Sequence, residues 1–287
     1  MDNTRIPPLA LSAAAFERIA PAEYYKRFIA KNVRPDGRNL KATRDFSLQV
    51  GSVSTTHGSA VVRWGETMVV CGVKGEVAEP KVNTPNQGYL VPNVELSPMC
   101  SPQFRPGPPG ELPQVLSQRL DQILQRGGIV PLEQLCIQEK LAVWCLYIDI
   151  TCLAYDGNVL DATILAMMAA LQSTLLPRAT LDEETAIVTA DPNDLVPLRV
   201  ERVVLSASFA VFADRVVVTD PNAKEETVSD SRISLAMDSE DNLCQMWSFG
   251  KTALPMRTIL KQCFKSAHSS LQKQRALLNQ SLADARK

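Results

Sequence analysis

The chain has 287 residues, enough for one large or two small domains. Hydrophobic residues make up 45% and charged residues 21%, the composition of a soluble globular protein. A net charge of −1 excludes a chain-wide pull toward nucleic acid or an anionic membrane, and no apolar run approaches the ~20 residues a membrane helix needs.

The first twenty residues read as a loose or helical extension, without the basic flank and apolar core of a secretory signal. Pro21 then starts a helix over 22–33 that puts Tyr24, Tyr25, Phe28 and Ile29 on one side. Arg34-Pro35-Asp36-Gly37-Arg38 is a turn by its Pro-Asp-Gly centre. Three strands are predicted next, at 44–50, 59–64 and 67–77, joined by hairpins at Gly51, His57-Gly58 and Gly65, with a fourth at 89–96. Residues 98–113 hold six prolines and two glycines and exclude regular structure; an ordered surface loop is favoured over a disordered linker. A helix over 115–126 turns Val115, Leu116, Leu120, Ile123 and Leu124 inward and Gln118, Arg119, Gln122, Gln125 and Arg126 outward.

The stretch 141–180 organises the chain. Residues 141–155 read as a strand buried on both faces, Tyr155-Asp156-Gly157-Asn158 as a tight turn, and 159–175 as a helix with Ile164, Met167, Met168, Leu171 and Leu175 on one face, stopped by Pro177. Strands follow at 186–190, 198–206, 207–213 and 215–220, with a turn at Ala213-Asp214. Two alternating runs around Ile233-Leu235-Met237 and Cys244-Met246 are joined at 239–242. Pro255 opens a last helix reaching about residue 285, with Ile259, Cys263, Phe264, Ala267 and Leu271 on its inner stripe. Strands followed by a helix thus occur twice, so the fold class is α+β, a two-lobed body. Its parts are an extension and helix at 1–33, a first lobe at 34–180 and a second at 181–287.

Seven cysteines without a Cys-x-x-Cys pair read as reduced core thiols. There are two histidines, His57 in a solvated turn and His268 on the last helix, and neither sits in a carboxylate or cysteine pattern, so no metal site and no cofactor are expected. No phosphate-binding glycine loop is present, and the prolines of Gly107-Pro108-Pro109-Gly110 remove the amide donors such a cradle needs. Most carboxylates read as caps, turns or solvated faces. Asp149, inside an apolar strand, is the exception and suits an interface ion pair as well as catalysis.

Laid out in order, these residues resemble the RNase PH family, and within it the supporting branch of ring subunits of the RNA exosome. The resemblance runs from about Tyr24 to Ala267. It is carried by Arg34-Pro35-Asp36-Gly37-Arg38, Gly58-Ser59-Ala60, Cys71-Gly72-Val73-Lys74, Val91-Pro92-Asn93, Phe104-Arg105, Gly107-Pro108-Pro109-Gly110-Glu111, Leu135-Cys136-Ile137, Tyr155-Asp156-Gly157-Asn158, Glu183-Glu184-Thr185 and Ser208-Phe209-Ala210-Val211-Phe212. It implies an RNase PH-like fold (ribosomal protein S5 domain 2-like) of two pseudo-repeated sheet-plus-helix lobes. Active members of the family attack RNA 3′ ends with inorganic phosphate. They hold that phosphate on a Gly-Thr-Arg-Ser segment before the central helix and carry an aspartate pair in the following lobe. Here the turn reads Gly157-Asn158-Val159-Leu160, with no hydroxyl and no guanidinium fork, and Asp191 and Asp194 stand nearest the aspartate pair in a different context. The resemblance therefore implies a non-catalytic ring subunit supporting 3′-to-5′ RNA processing and degradation, the alternative being an active phosphate-dependent exoribonuclease. A small-molecule enzyme on a related fold is disfavoured by the missing nucleotide loop. The implied partners are other RNase PH-like ring subunits, S1/KH-domain cap subunits, an associated hydrolytic RNase, and RNA through the assembled ring, with no membrane. The implied location is nucleus, nucleolus and cytoplasm. Arg105, Arg119 and Arg126 are the candidate RNA-binding residues, the plainer alternative being that Arg119 and Arg126 only solvate their helix.

Overall fold

The computed structural model describes residues 12–182, 187–212, 216–250 and 256–285. Two short helices open it, α1 (Ala13–Ile19) and α2 (Pro21–Ile29). Pro21 sits at the first helical position, where its missing N–H costs nothing. The strands β1 (Phe46–Val50), β2 (Gly58–Trp64) and β3 (Thr67–Ala78) follow as antiparallel neighbours, and β4 (Tyr89–Leu96) comes next. The Pro-rich segment is irregular only to Gly110. Helix α3 (Glu111–Gly127) begins within the predicted loop and takes Pro113 into its first turn. The loop is ordered against its surroundings, with the Phe104 ring edge-on to Tyr155 at 5.3 Å and the Tyr155 N–H bonded to the Cys100 carbonyl at 3.1 Å.

A 3₁₀ turn (Leu132–Leu135) and a short β5 (Cys136–Gln138) lead into β6 (Ala142–Ala154), the centre of a sheet ordered β1-β2-β3-β6-β4. β4 runs parallel to β6, and α3 supplies the crossover that parallel neighbours require. β6 is not buried on both faces throughout. Ile148, Ile150 and Cys152 point into the core, whereas Tyr147 is exposed and Asp149 and Thr151 are half-buried on the outer face. Asp149 therefore keeps contact with solvent and is not the buried carboxylate its apolar neighbours suggested.

Helix α4 (Val159–Gln172) follows and is buried on every side from Val159 to Leu171, so the one-sided stripe expected of it is absent. It lies between β2 and β3 of the first sheet and β9 of the second, and an element covered on both sides is apolar all round. It ends at Gln172 rather than at Leu175. Leu175 and Pro177 belong to β7 (Leu175–Asp182), which pairs with β8 (Ile187–Pro197) in a two-stranded ribbon. A register shift between Pro177 and Arg178 accommodates the proline, as ribbon edges allow.

The predicted strand at 198–206 is irregular to Val204, because its backbone bonds go to single scattered partners, Leu198 N–H to Thr174 and Glu201 N–H to Ile129. The second sheet then forms from β9 (Leu205–Phe212), β10 (Val216–Thr219), β11 (Ser231–Met237) and β12 (Leu243–Gly250), in the order β10-β9-β11-β12. A six-residue helix, α5 (Ala223–Val228), which the sequence reading did not anticipate, interrupts it. Helix α6 (Met256–Ala285) spans both lobes: Gln274 donates to the Ser206 carbonyl at 2.9 Å and Ser281 to the Leu48 carbonyl at 3.2 Å. The predicted turn at Ala213-Asp214, the motif Glu183-Glu184-Thr185, the helix start at Pro255 and the extension before Ser12 lie outside the described residues.

Both histidines depart from expectation. His57 is half-buried and its Nδ1 accepts the Gly75 N–H at 3.1 Å, and burial holds its pKa down. His268 faces a carboxylate after all, Asp241, at 2.9 Å. All seven cysteines carry free thiols, and burial pushes those of Cys152 and Cys263 up to about 12, which keeps them protonated and unreactive.

Candidate functional site

The turn between β6 and α4 is set by the hydroxyl of Thr67, at the start of β3, which donates to the Gly157 carbonyl at 2.8 Å and accepts the Asp156 N–H at 3.1 Å. Gly157 has φ +75° and lies against the backbone of Asn222 and Ala223 at the start of α5; a Cβ there would overlap it. Asn158 follows at φ +49°, a conformation Asn tolerates better than most residues. This turn brings the N-terminus of α4 to the second lobe.

There the first amide meets a carboxylate. The Asn158 N–H donates to Glu226 Oε1 at 2.7 Å, and Glu226 Oε2 accepts the Tyr155 hydroxyl at 3.2 Å and stands 3.7 Å from Arg232. The helix dipole favours negative charge at this end. Burial raises the Glu226 carboxyl, and the Asn158 bond and the charges of Arg232 and Arg44 offset part of that rise. One residue into the helix beyond Leu160, Asp161 is fully buried and accepts the Ser206 hydroxyl at 2.6 Å and the Ser208 N–H and hydroxyl at 2.8 Å each. Burial raises its carboxyl too.

Behind the turn lies a buried ionic network. Asp220 accepts the Arg44 backbone N–H at 2.7 Å, the Arg44 guanidinium at 2.9 and 3.0 Å, Asn158 Nδ2 at 2.7 Å and Arg38 at 3.1 Å. Arg34, 1% exposed, forks onto both oxygens of Glu225 and donates to the Thr219 and Asp220 carbonyls at 2.8 and 2.9 Å. The sequence reading took these carboxylates for caps, turns or solvated faces; Glu225 is a cap, of α5, but the buried ion pairs of Glu225 with Arg34 and of Asp220 with Arg44 were not anticipated. One legible signal existed: Asn222-x-x-Glu225 is a capping box, and the structure forms both of its bonds.

In front of the turn a cleft of about 430 Å³ opens between the lobes. Leu112, Val115 and Leu116 of α3, Val159 and Leu160 of α4 and Phe209 of β9 make it largely apolar. Its outer wall is β12, where Trp247 donates to Gln122 at 3.2 Å beneath the Arg119 guanidinium, 5.5 Å from the ring. Arg232 lies over Phe249 at 5.3 Å. Of the sequence candidates, Arg119 alone lines this cleft; it is half-buried on Trp247 and does not merely solvate its helix. Arg105 stands exposed on the Pro-rich loop, and Arg126 exposed in the last turn of α3. Asp191 and Asp194 are not at the cleft. Both lie exposed on β8, Asp194 paired with Arg178 at 3.0 Å and Asp191 accepting the Asn193 N–H at 2.9 Å.

Chemically, the end of α4 holds an internal carboxylate where an anionic substrate would need free donors. A phosphate placed there would face Glu226 and find the N-cap amide, that of Asn158, already taken. Among the described residues, no three of His, Cys, Asp and Glu are grouped to hold a metal ion.

Comparison with known proteins gives a consistent result. Family models described as the 3′ exoribonuclease family match in two parts, domain 1 (RNase_PH) at residues 42–177 and domain 2 (RNase_PH_C) at residues 202–270. The exosome complex component rrp43 of Schizosaccharomyces pombe is 39% identical over 264 residues, covering 92% of this chain and 97% of that protein. The exosome complex component Rrp42 of Methanothermobacter thermautotrophicus is 37% identical over 228 residues, 79% of this chain and 83% of the relative. Among solved structures, a chain of the Archaeoglobus fulgidus exosome with RNA bound to the active site superposes with TM-score 0.80 at 30% identity, over 89% of this chain and 96% of that one.

Proposed function

The chain belongs to the 3′ exoribonuclease family of RNase PH fold, and from that membership we propose that it is a non-catalytic ring subunit of an RNA exosome, supporting 3′-to-5′ RNA processing and degradation. The observation that carries the non-catalytic part is the bond from the Asn158 N–H to Glu226. Phosphoryl-type transfer depends on positioned donors that stabilise the attacking and transferring oxygens. Here the turn Gly157-Asn158-Val159-Leu160 offers no hydroxyl or guanidinium, and the N-cap amide of Asn158 is committed to a carboxylate.

The same reading gives the chain its neighbours: other RNase PH-like ring subunits, S1/KH-domain cap subunits and an associated hydrolytic RNase, in nucleus, nucleolus and cytoplasm. RNA reaches it through the assembled ring, along Arg105, Arg119 and Arg126. The archaeal and fission-yeast relatives named as exosome components support the assembly. The test is phosphorolysis by the purified chain on a single-stranded RNA with inorganic phosphate. No nucleoside diphosphate should be released. Release that requires phosphate and disappears in Asp191→Ala or Asp194→Ala would replace this reading with that of an active exoribonuclease.

A further inference from the structure

The cleft in front of α4 is too well formed to be only a relic of a lost phosphate site, and its polar groups follow a pattern. Asp161 can only accept from the two serines, so Ser208 gives its hydroxyl proton to Asp161 at 2.8 Å. Ser208 then accepts from Ser234 at 3.0 Å, which leaves the lone pairs of Ser234 as acceptors toward the cleft. Glu226 at the same end is also an acceptor; the Tyr155 hydroxyl and the Asn158 N–H beside it already donate to it, and its remaining lone pairs are open to a donor. A ligand that brings hydrogen-bond donors is therefore favoured at the inner end, and an anion, whose oxygens are mostly acceptors, is disfavoured beside Glu226.

Charge and shape narrow the class further. Glu111 and Glu226 in the cleft are balanced by Arg119 and Arg232, so the site favours neither a cation nor an anion. Its outer wall carries two flat rings, Trp247 under Arg119 and Phe249 under Arg232. Phe249 is 66% exposed although it is a large aromatic side chain, and such rings and guanidinium planes stack on flat heterocycles. We propose that this cleft is a pocket for a neutral, amino-bearing nucleobase such as adenine or cytosine. The exocyclic amine would donate to Glu226 and Ser234, and the ring would lie against Trp247 and Phe249. The pocket binds and does no chemistry. The ligand is either a free nucleoside or a base at the end of a single strand, because both present the same edge and face. The proposal does not rest on the ring assignment, and its failure would leave co-purification of ring partners untouched.

Calorimetric titration of the full chain with adenosine, cytidine, uridine, inorganic phosphate and a short oligoadenylate tests it. Adenosine and cytidine should bind, with uridine at least tenfold weaker because its carbonyl at the matching position meets two acceptors. Phe249→Ala, on the surface, should weaken adenosine about tenfold with the unfolding temperature unchanged. Glu226→Gln should erase the preference over uridine, since its amide can donate as well as accept. Oligoadenylate binding more tightly than adenosine would make a strand end the source, and equal binding a free nucleoside. Equal affinity for adenosine and uridine, competition by phosphate, no heat at millimolar adenosine, or indifference to both variants would each overturn the proposal.

Discussion

Asp220→Ala is the sharpest probe of the junction. Asp220 is 1% exposed and, among the described residues, is the carboxylate that meets the Nε and Nη2 of Arg44, which also contacts the Asp156 and Gly157 carbonyls at 2.7 and 3.3 Å and the Asp156 carboxylate at 3.4 Å. Removing one partner of a buried pair leaves an uncompensated charge and typically costs about 3–5 kcal/mol. That is a large part of the ~5–15 kcal/mol that holds a domain folded, and at about 2–4 °C per kcal/mol it lowers the melting temperature by roughly 10 °C. The double variant Asp220→Ala/Arg44→Met, which removes the stranded guanidinium as well, should recover more than about 1 kcal/mol of that loss. The pH dependence has a definite sign. Burial acts to raise the Asp220 carboxyl, but the hydrogen bonds and charge of Arg44 outweigh it and leave it below the usual carboxylate range. A depressed acid contributes stability above its unfolded value of about 3.9 and loses that contribution as pH falls through the still lower folded value. Thermal unfolding of parent, single and double variants between pH 3 and pH 7 reads all of this. A single variant within about 1 kcal/mol of the parent at pH 7, or a double variant worse than the sum of its parts, would refute the network as a stabilising unit.

Gly157→Ala should destabilise by about 1–3 kcal/mol for its φ of +75° alone and further for the overlap with the backbone of α5's approach, seen as a lower melting temperature; an unchanged one would refute the close packing. Replacing Arg105, Arg119 and Arg126 by alanine in the assembled complex should weaken RNA binding and reduce the slope of log affinity against log salt by about 2, and an unchanged slope would leave these arginines as surface groups. The isolated chain should self-associate, because Leu175, Leu195 and Val196 stand exposed on the β7–β8 ribbon and unpaired edges invite pairing. Sedimentation of a well-behaved monomer at micromolar concentration, not stabilised by a ring partner, would count against the ring assignment.

Elements with one wet and one dry face were legible in the sequence. The inner stripe of α3, the β2–β3 hairpin at Gly65 and the stripe of α6 all show the period of their element. α4 was legible as a helix but not as an element enclosed between two sheets, since periodicity carries no signal once every face is covered. Its end was misplaced because Leu175 and Leu176 continue the apolar run, and nothing local says that Pro177 sits on a ribbon at a register shift. The site was less legible still. That the turn Gly157-Asn158-Val159-Leu160 carries no hydroxyl or guanidinium could be read from four residues, but the carboxylate beside it comes from Glu226, 68 residues from Asn158, and the cleft wall from Trp247 and Phe249, farther again. Such contacts follow from the packing of the two sheets on α4 and leave no mark on local composition.

On the proposed non-catalytic reading, the absence of a phosphate site would not be the absence of a few side chains from an otherwise open turn. A hydroxyl or guanidinium introduced at Val159 or Leu160, each 5% exposed, would enter an apolar wall and still face Glu226. Removing Glu226 alone would free the Asn158 amide but leave Tyr155 and Arg232 without their shared partner. Glu226 supplies from within the chain the negative charge that the helix dipole favours, and two residues of the same short helix serve both ends of the junction: Glu225 neutralises Arg34 behind the turn while Glu226 caps α4 in front of it. A phosphate would have to displace a carboxylate held by the same α5 that the Arg34 pair anchors. Rebuilding an anion site thus requires changes on both sides of the cleft at once, and each alone leaves a buried group without its partner, at a cost of about 1–3 kcal/mol.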